Sequence, residues 1–520
     1  MIRDPDLSES SSAASAEAAS PADSTRGAVR RPLAWVNVAL LFIIVIACNY
    51  IGCREYARRD LTEDQRYTIS SRSMNVLASD RVQKRETPVK IIFAFQRSTQ
   101  NYGRMYSLLE EYGRCGKGKI EIECFDPLRQ PNRAREITQI YGTEFNMNLV
   151  VVDARSDTSV SLKTFEEERS ERSHVRILPG TSFVKYETLP DGQTKRAVAL
   201  MMDDVLSSAI SEAVEGRMRT MYVVEGKGGV SRDENESAET LAKICASLNI
   251  RLSWFDIANA GKIPDDAEGL ILVGPTEDFN PHEIEVLSQY WEGDRRAAIF
   301  LALNPAVKLP RLFRFLREQG IRPESDRVLL RDRTRAYYDI SAVIPKSLSC
   351  TKDFWNSTTQ LEGQSMSLTL QHGDENMANV RQLALYPLLM TTADYYGETT
   401  PDLKPVFDPR EDHPGPLCLA AAVAKGSPSR PNALSTLTVF SNIDMLSPNN
   451  AKALQLDYLR TVFAWMSDRP EYSGKSSNHD LTMKIDLNRH SRSALEFLTL
   501  VAMPGLALLA ALLLWNMRRH

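Results

Sequence analysis

Cysteine and histidine are both scarce in this chain, whose 520 residues include only seven of each. Seven cysteines are too few for a disulfide scaffold, and their spacing is not that of a zinc site. The histidines form no HxxxH or HExxH pair, so a zinc site on one helix is not expected. Cys115 and Cys124 flank a predicted turn, where a disulfide and two reduced thiols both remain open. We therefore expect no metal and no cofactor.

A surplus of positive charge is also missing. Lysine and arginine together number 63 against 67 aspartates and glutamates, which gives a formal net charge of -4. Proteins that bind nucleic acid neutralise phosphates with a basic surface, so this balance argues against a nucleic-acid partner. Charged residues make up 25% of the chain, an ordinary value for a water-soluble folded protein. A folded body is therefore expected, rather than a channel with many membrane spans.

Two long apolar stretches without charge lie near the two ends, at residues 32–53 and 497–517. A helix of about 20 apolar residues crosses the ~30 Å hydrocarbon layer of a membrane. Each stretch has that length, so we predict two transmembrane helices with the folded body between them. The short basic tail Arg518-Arg519 favours the cytoplasm for both chain ends. The predicted location is a bacterial inner membrane, crossed twice, with the bulk of the chain extracytoplasmic.

The amino-terminal stretch has an alternative interpretation. Arg30-Arg31 followed by an apolar core resembles a secretion signal, and Val45-Ile46-Ala47-Cys48 is similar to a lipoprotein cleavage box. Cleavage would leave a lipid on Cys48 in place of the helix, and either outcome tethers the body. Residues 1–30 are rich in Ser, Ala and Asp, which predicts a disordered cytoplasmic tail.

The body alternates between strand and helix patterns, which predicts an α/β fold. Two doubly wound parallel-sheet units, of the Rossmann or flavodoxin-like kind, are expected, because parallel neighbours need crossover connections. The first unit covers residues 59–215 and the second 216–468, and a polar linker at 469–494 leads to the second apolar stretch. Strands are predicted at 89–95, 119–125, 148–152, 221–225, 251–255, 269–273, 297–302, 327–330 and 434–440. Helices are predicted at 102–112, 131–141, 201–214, 238–248, 281–291, 309–319 and 450–466, with Ser70 and Asn280 as helix N-caps.

Two glycine-containing loops follow predicted strands of the second unit. In open α/β sheets, ligands bind in the crevice at the carboxyl ends of the strands. The candidate residues for ligand or partner binding are therefore Gly226, Lys227, Gly228, Gly229, Gly274, Pro275 and Thr276. The first loop matches neither GxxxxGK[ST] nor GxGxxG, so a plain turn is favoured over a phosphate cradle.

Catalytic motifs are missing from the predicted strand-to-helix turns. A hydrolase elbow needs Gly-x-Ser-x-Gly or a cysteine equivalent, but residues 301–305 read Leu-Ala-Leu-Asn-Pro. The turn after residue 273 contains only Thr276, with no partnered base. We therefore expect a protein that is not an enzyme. A membrane-tethered hydrolase of cell-envelope material, using Thr276 or His413, is the alternative.

The run RDLTEDQRYTIS at residues 59–70 resembles the start of the body in gliding-motility-type auxiliary subunits of ABC transporters. Weaker similarities follow at residues 125–127, 140–142, 204–210 and 273–275, and in the closing segment with Met503-Pro504. One departure is that Gly226-Lys227-Gly228-Gly229 stands where the family often has Gly-His-x-Glu. The resemblance covers most of residues 32–517, although residues 335–430 match only loosely.

This resemblance implies a membrane-anchored auxiliary subunit, not an enzyme, with a ligand-binding or coupling body outside the cytoplasm. Its partners would be a separate ABC permease, an ABC ATPase and the lipid bilayer. The chain has no P-loop of its own, and two helices alone cannot form a transport pathway. The ATPase and the pathway are thus expected from other subunits.

Overall fold

The computed structural model describes most of the body and short parts of the chain ends. It divides the chain into two compact units, residues 1–65 and residues 66–520. In the first unit, residues 40–47 and 49–50 are helical and exposed. The described residues are 40–47, 49–50, 68–143, 147–161, 174–188, 195–230, 232, 236–331, 339–371, 383–400, 405–427, 430–447, 452–476, 479–480 and 503–505.

The predicted membrane spans need correction. Within the described ranges, no helix has both the length and the apolar character that a bilayer crossing requires. The prediction of two transmembrane helices, and of a two-span inner-membrane location, is therefore overturned. Of residues 32–53 and 497–517, only 40–47, 49–50 and 503–505 are described. The predicted tail at 1–30 and the cleavage residue Cys48 lie outside the described residues.

The first half of the body is built around a four-stranded sheet. Its helices are α1 (Ser71–Ala78), α2 (Asp80–Gln83), α3 (Tyr102–Cys115), α4 (Pro131–Tyr141) and α5 (Met202–Glu215). Its strands are β1 (Val89–Ala94), β2 (Ile120–Phe125), β3 (Leu149–Asp153), β4 (Val175–Pro179), β5 (Val184–Thr188) and β6 (Lys195–Leu200). The sheet order is β2-β1-β3-β4, and β5 and β6 belong to a separate sheet with β21 (His479–Asp480).

Strand direction in this sheet differs from the prediction. Strand β1 is parallel to β2, as expected, but antiparallel to β3, and β3 is antiparallel to β4. The predicted doubly wound parallel unit is therefore wrong. All five residues of β3 are buried. A continuous apolar run shows that a strand is buried on both faces, but it does not show its direction.

The second half of the body contains one large mixed sheet. Its helices are α6 (Glu236–Ala246), α7 (Pro281–Glu292), α8 (Pro310–Glu318) and α9 (Ala453–Met466). Its first strands are β7 (Arg219–Glu225), β8 (Ile250–Asp256), β9 (Ala267–Val273), β10 (Ala298–Ala302), β11 (Ile321–Pro323), β12 (Arg327–Leu330), β13 (Ile340–Val343) and β14 (Thr358–Leu361). The later strands are β15 (Leu368–Leu370), β16 (Leu383–Thr391), β17 (Tyr395–Glu398), β18 (His413–Pro414), β19 (Cys418–Ser427) and β20 (Arg430–Phe440).

Strands β12, β17 and β18 form a separate three-stranded sheet, and the other 11 of these strands form the large sheet, which joins a parallel part to an antiparallel part. Nine of its strands follow one another in the order β14-β13-β16-β19-β20-β10-β9-β7-β8. Neighbouring strands are antiparallel from β14 to β20 and parallel from β20 to β8. The second predicted doubly wound unit is therefore also wrong. Strand β19 is rich in alanine, and Ala420, Ala421 and Ala422 are fully buried. Alanine is uncommon in strands, so the sequence pattern did not reveal this extension.

Local signals at helix starts were more informative. The Ser70 side chain accepts a hydrogen bond from the backbone of Ser73, which confirms it as the N-cap of α1. Asn280 and Glu283 form a reciprocal capping box at the start of α7. Such caps satisfy backbone N–H groups that the first helical turn leaves unpaired. Two residues three positions apart are enough to form such a cap, so it can be recognised in the sequence.

The two halves of the body are joined by residues 469–476, which we call the strap. The sequence places these residues in the polar linker, but Arg469 and Tyr472 are almost fully buried. The Asn75 side chain donates to the carbonyl of Ser473 (2.9 Å), and the Lys475 amide donates to the hydroxyl of Ser71 (3.2 Å). The strap therefore lies directly on α1. The boundary predicted between residues 215 and 216 stays a prediction.

A buried ion pair strengthens this connection. The Arg469 guanidinium contacts the carboxylate of Glu215 and the carbonyl of Leu248. Glu215 ends α5, where the helix dipole disfavours a negative charge. Burial also opposes ionisation of Glu215, but Arg469 and Arg219 outweigh it and lower the pKa of the carboxyl. Burial lowers the pKa of the Arg469 guanidinium. Each charge is thus stabilised in the interior by the other.

We expect Glu215→Gln to lower the free energy of unfolding by about 3–5 kcal/mol, because it leaves a buried guanidinium without its partner. The matched control is Glu239→Gln, which breaks a pair whose side chains are 70% and 69% exposed and should cost less than about 1 kcal/mol. Urea unfolding followed by circular dichroism measures both. Because the pKa of Glu215 is lowered, its contribution is lost as the pH falls below its ordinary value of 4.5. The free energies of unfolding of Glu215→Gln and of the wild type should therefore become equal in acid. If Glu215→Gln and Glu239→Gln lowered the free energy of unfolding equally at neutral pH, the prediction would be contradicted.

Candidate functional site

The two predicted glycine-containing loops lie side by side at one edge of the large sheet. Strands β7 and β9 are parallel neighbours, so the loops after them meet at the carboxyl ends of both. The amides of Thr276 and Glu277 donate to the carbonyl of Lys227 (2.8 and 3.1 Å). The Thr276 hydroxyl donates to the carbonyl of Gly228 (3.1 Å). The structure therefore brings the predicted residues together as one hydrogen-bonded pair of turns.

The two loops are packed too closely to hold a ligand between them. A Cβ atom added at Gly228 would overlap the Thr276 hydroxyl, and one at Gly229 would overlap the carbonyl of Val273. Gly228 also has a φ of +66°, which side-chain-bearing residues rarely adopt. Gly226, Gly228, Gly229 and Thr276 are exposed, whereas Gly274 and Pro275 are buried. A ligand or partner at these residues would contact the outer surface of the loops.

Lys227 is already engaged within the protein. Its ammonium nitrogen lies 2.5 Å from Glu283 Oε2, and the two side chains are only 11% and 1% exposed. The same nitrogen lies 5.2 Å from the centre of the Phe279 ring. Because Glu283 also caps α7, the loop is anchored to the start of that helix. The positive charge of Lys227 is therefore paired with a buried carboxylate.

The two residues of the hydrolase alternative are each engaged by other groups of the protein. His413 Nδ1 lies 2.7 Å from Asp326 Oδ2, and the Asp326 side chain is fully buried. The Ser367 hydroxyl donates to the same oxygen (2.6 Å). A serine nucleophile requires a hydrogen bond to the imidazole, but here both groups contact the carboxylate instead. Thr276 is bonded to the other glycine loop, so the described residues form no Ser–His or Thr–His pair at these positions.

The structure reveals a second candidate site, which sequence reasoning missed. A cavity of about 350 Å³ lies in the first half of the body, where the loop after β1 meets the ends of β3 and β4 and the β5–β6 hairpin. We call it the amide cavity. It is lined by Phe95, Gln96, Thr99, Gln100, Asn101, Met105, Met147, Asn148, Gly180, Thr181, Val184, Tyr186 and Ala197. Its position at the carboxyl end of β1 is typical of binding sites in α/β folds.

Asn148 organises the walls of this cavity. Its side-chain oxygen accepts from the amide of Gln96 (3.0 Å), and its side-chain nitrogen donates to the Thr99 hydroxyl (2.8 Å). Its carbonyl accepts from the amide of Gly180 (2.7 Å). One residue therefore holds the loop after β1 and the turn after β4 in fixed positions. Such a preformed wall reduces the conformational entropy that the protein itself would lose on binding a ligand.

The lining of the amide cavity determines its chemistry. Among the residues that the structure describes, this lining contains no Asp, Glu, His, Lys, Arg or Cys, although charged residues make up 25% of the chain. The polar side chains of the described lining are amides and hydroxyls. Amide and hydroxyl groups both donate and accept hydrogen bonds. Met147 and Tyr186, which are 58% and 51% exposed, add apolar surface at the rim. An uncharged polar ligand fits these properties.

We expect Gly228→Ala to lower the free energy of unfolding by roughly 1–3 kcal/mol or more, because the left-handed backbone and the contact with Thr276 both resist a methyl group. Gly261→Ala is the control, since nothing lies within 4 Å of a Cβ atom there. Thermal unfolding followed by circular dichroism compares the two variants with the wild type. Equal stability of both variants would show that the loops are not packed as described.

Comparisons with known proteins give no assigned function. Residues 63–178 match a family model described as a domain of unknown function, DUF7088. No curated protein sequence matches the chain. Among solved structures, the mmIFT52 N-terminal domain is 14% identical, with a TM-score of 0.33, covering 48% of this chain and 97% of that one. A putative ThuA-like protein from Bacteroides uniformis is 11% identical, with a TM-score of 0.30, covering 49% and 95%. The exo-beta-1,4-mannosidase Op5Man5 from Opitutaceae bacterium strain TAV5 is 11% identical, with a TM-score of 0.27, covering 72% and 52%.

Proposed function

We propose that this chain is an auxiliary subunit of an ABC-type transport system that is not itself an enzyme. Its body would bind a ligand or a partner protein beside a separate permease and ATPase. The amide cavity supports this proposal, because the described part of its lining presents amide and hydroxyl groups and no carboxylate, amine, guanidinium, imidazole or thiol. The run at residues 59–70, which resembles the start of the body in such auxiliary subunits, supplies the transport context.

The state of Lys227 supports the assignment of ATP hydrolysis to another subunit. A phosphate-binding loop presents a free lysine and several backbone N–H groups to the nucleotide. Here the ammonium of Lys227 is paired with Glu283, and the carbonyl of Lys227 accepts two backbone hydrogen bonds from the neighbouring loop. Neither group is directed at an anion. The glycine loops would thus contribute a rigid surface and not a nucleotide site.

The hydrolase alternative is less well supported by the geometry. It depends on Thr276 or His413, and both side chains are engaged in contacts that hold the fold together. The buried Asp326 accepts from the Ser367 backbone and hydroxyl as well as contacting His413. This arrangement ties β15 to β18, which is a structural role. We therefore retain the binding function.

The transport context is tested by affinity capture of the tagged full chain from the cells that make it. We expect an ABC permease and an ABC ATPase to be retained in amounts close to that of the chain itself. An unrelated tagged protein from the same cells is the control. Recovery of the intact chain with neither component would contradict the proposed role.

The binding role of the amide cavity is tested by a ligand-observed nuclear magnetic resonance screen of small neutral compounds that carry hydroxyl and amide groups. We expect binders that are lost in Tyr186→Ala, which removes exposed apolar surface from the rim. They should be retained in Tyr106→Ala, which removes another exposed tyrosine outside the lining. Binders that respond equally to the two variants, or a folded protein with no binder, would contradict a ligand site here.

A further inference from the structure

A second cavity, of about 470 Å³, lies at the opposite edge of the large sheet from the glycine loops. Its walls come from the amino ends of β7, β8 and β9 and from the residues before β10. Five of its lining residues are arginines: Arg217, Arg219, Arg251, Arg295 and Arg296. Three are acidic: Asp265, Asp266 and Glu268. We call it the arginine cavity. It shares no residue with the glycine loops or the amide cavity.

The acidic residues do not balance the arginines. Glu268 is shared by three guanidinium groups, at 3.4 Å from Arg219, 3.8 Å from Arg217 and 3.8 Å from Arg296. Asp266 accepts from the hydroxyl of Tyr222 (3.0 Å).

Asp265 lies at the exposed margin of the cavity. It pairs with Lys262 at 2.9 Å and is 4.0 Å from Arg295. Outside the lining, Glu215 also pairs with Arg219, but Arg469 contacts the same carboxylate. A positive surplus therefore remains at the cavity.

Arg296 shows the consequence of this surplus most clearly. Its side chain is only 13% exposed. Its Nη2 is buried and has no hydrogen-bond partner among the residues that the structure describes. Burial lowers the pKa of this guanidinium, although Asp468 and Glu268 oppose the effect. A buried donor without an acceptor is costly, and the cost is higher for a charged group.

The guanidinium of Arg251 also has hydrogen-bond donors that are not fully used. Its Nη2 donates to the Thr220 hydroxyl at 3.4 Å, which is a long hydrogen bond, and the residue is exposed. A guanidinium has five N–H donors in a planar fork that matches the oxygens of phosphate. Arg251 can therefore turn toward an anion in the cavity without breaking a strong contact.

We propose that the arginine cavity binds a phosphate group, with Arg296 at its base and Arg251 and Arg217 at its mouth. The oxygens of the anion would accept from the exposed guanidinium groups of Arg251 and Arg217 and would neutralise the surplus charge to which the largely buried Arg296 contributes. The volume exceeds that of inorganic phosphate, so an organic phosphate such as a sugar phosphate also fits. This inference does not depend on the transport role or on the amide cavity.

Isothermal titration of the full chain at low ionic strength tests the proposal with three probes: inorganic phosphate, glucose 6-phosphate and glucose. We expect the phosphate-bearing probes to bind, glucose not to bind, and the affinity to fall as salt is added. Binding of inorganic phosphate alone would indicate a site for the free anion, and binding of glucose 6-phosphate alone a site for an organic phosphate. No binding of either at millimolar concentration, or equal binding of glucose, would overturn the proposal.

Matched variants locate the binding. Arg251→Gln should weaken phosphate binding about tenfold or more, since a charge-assisted hydrogen bond is lost. Because Arg251 is exposed, this variant should fold normally. Arg232→Gln is the control, as Arg232 is exposed and pairs with Glu225 at the other end of β7. Glu268→Gln should tighten binding, because it removes the carboxylate that competes for the guanidinium groups. Equal affinity in Arg251→Gln and Arg232→Gln, or weaker binding in a folded Glu268→Gln, would overturn the assignment.

Discussion

The ion pair between Arg469 and Glu215 is the interaction on which the rest of the body depends. Each half of the body has its own buried apolar clusters, and the polar strap at residues 469–476 crosses from one half to the other. Apolar contacts at such a junction are non-directional, so they tolerate small shifts of one half against the other. A buried guanidinium cannot part from its carboxylate so easily, because the remaining charge stays in a medium of low polarity. The ion pair therefore couples the stability of the two halves.

The folded body carries three separate surfaces: the amide cavity, the glycine loops and the arginine cavity. The amide cavity lies in the first half, where it offers hydrogen-bonding groups without charge. The glycine loops lie at the carboxyl edge of the large sheet and present an exposed backbone whose polar groups are largely satisfied within the loops. The arginine cavity lies at the amino edge and carries unbalanced positive charge. The two cavities therefore differ in charge, since the described lining of the amide cavity is neutral and that of the arginine cavity is positive.

Local structure could be predicted from the sequence, whereas the direction of several strands and the two cavities could not. Strand β1 and helix α7 have strong local signals, the buried run VKIIFA and the Asn280 cap, and both lie within two residues of their predicted bounds. The direction of β3 depends on hydrogen bonds to β1 and β4, which are far apart in the chain. The amide cavity combines loops near residues 95–101, 147–148 and 180–197, and the contacts of Asn148 that unite them have no local pattern.

Native-state hydrogen exchange tests the coupling of the two halves most directly. The amides to compare are the slowest to exchange in β1, in the first half, and in β10, in the second half. If the strap joins the halves into one cooperative unit, the amides of β1 and those of β10 should exchange with the same opening free energy, equal to that of global unfolding. A clearly lower opening free energy in one half, with the other half still protected, would contradict the account.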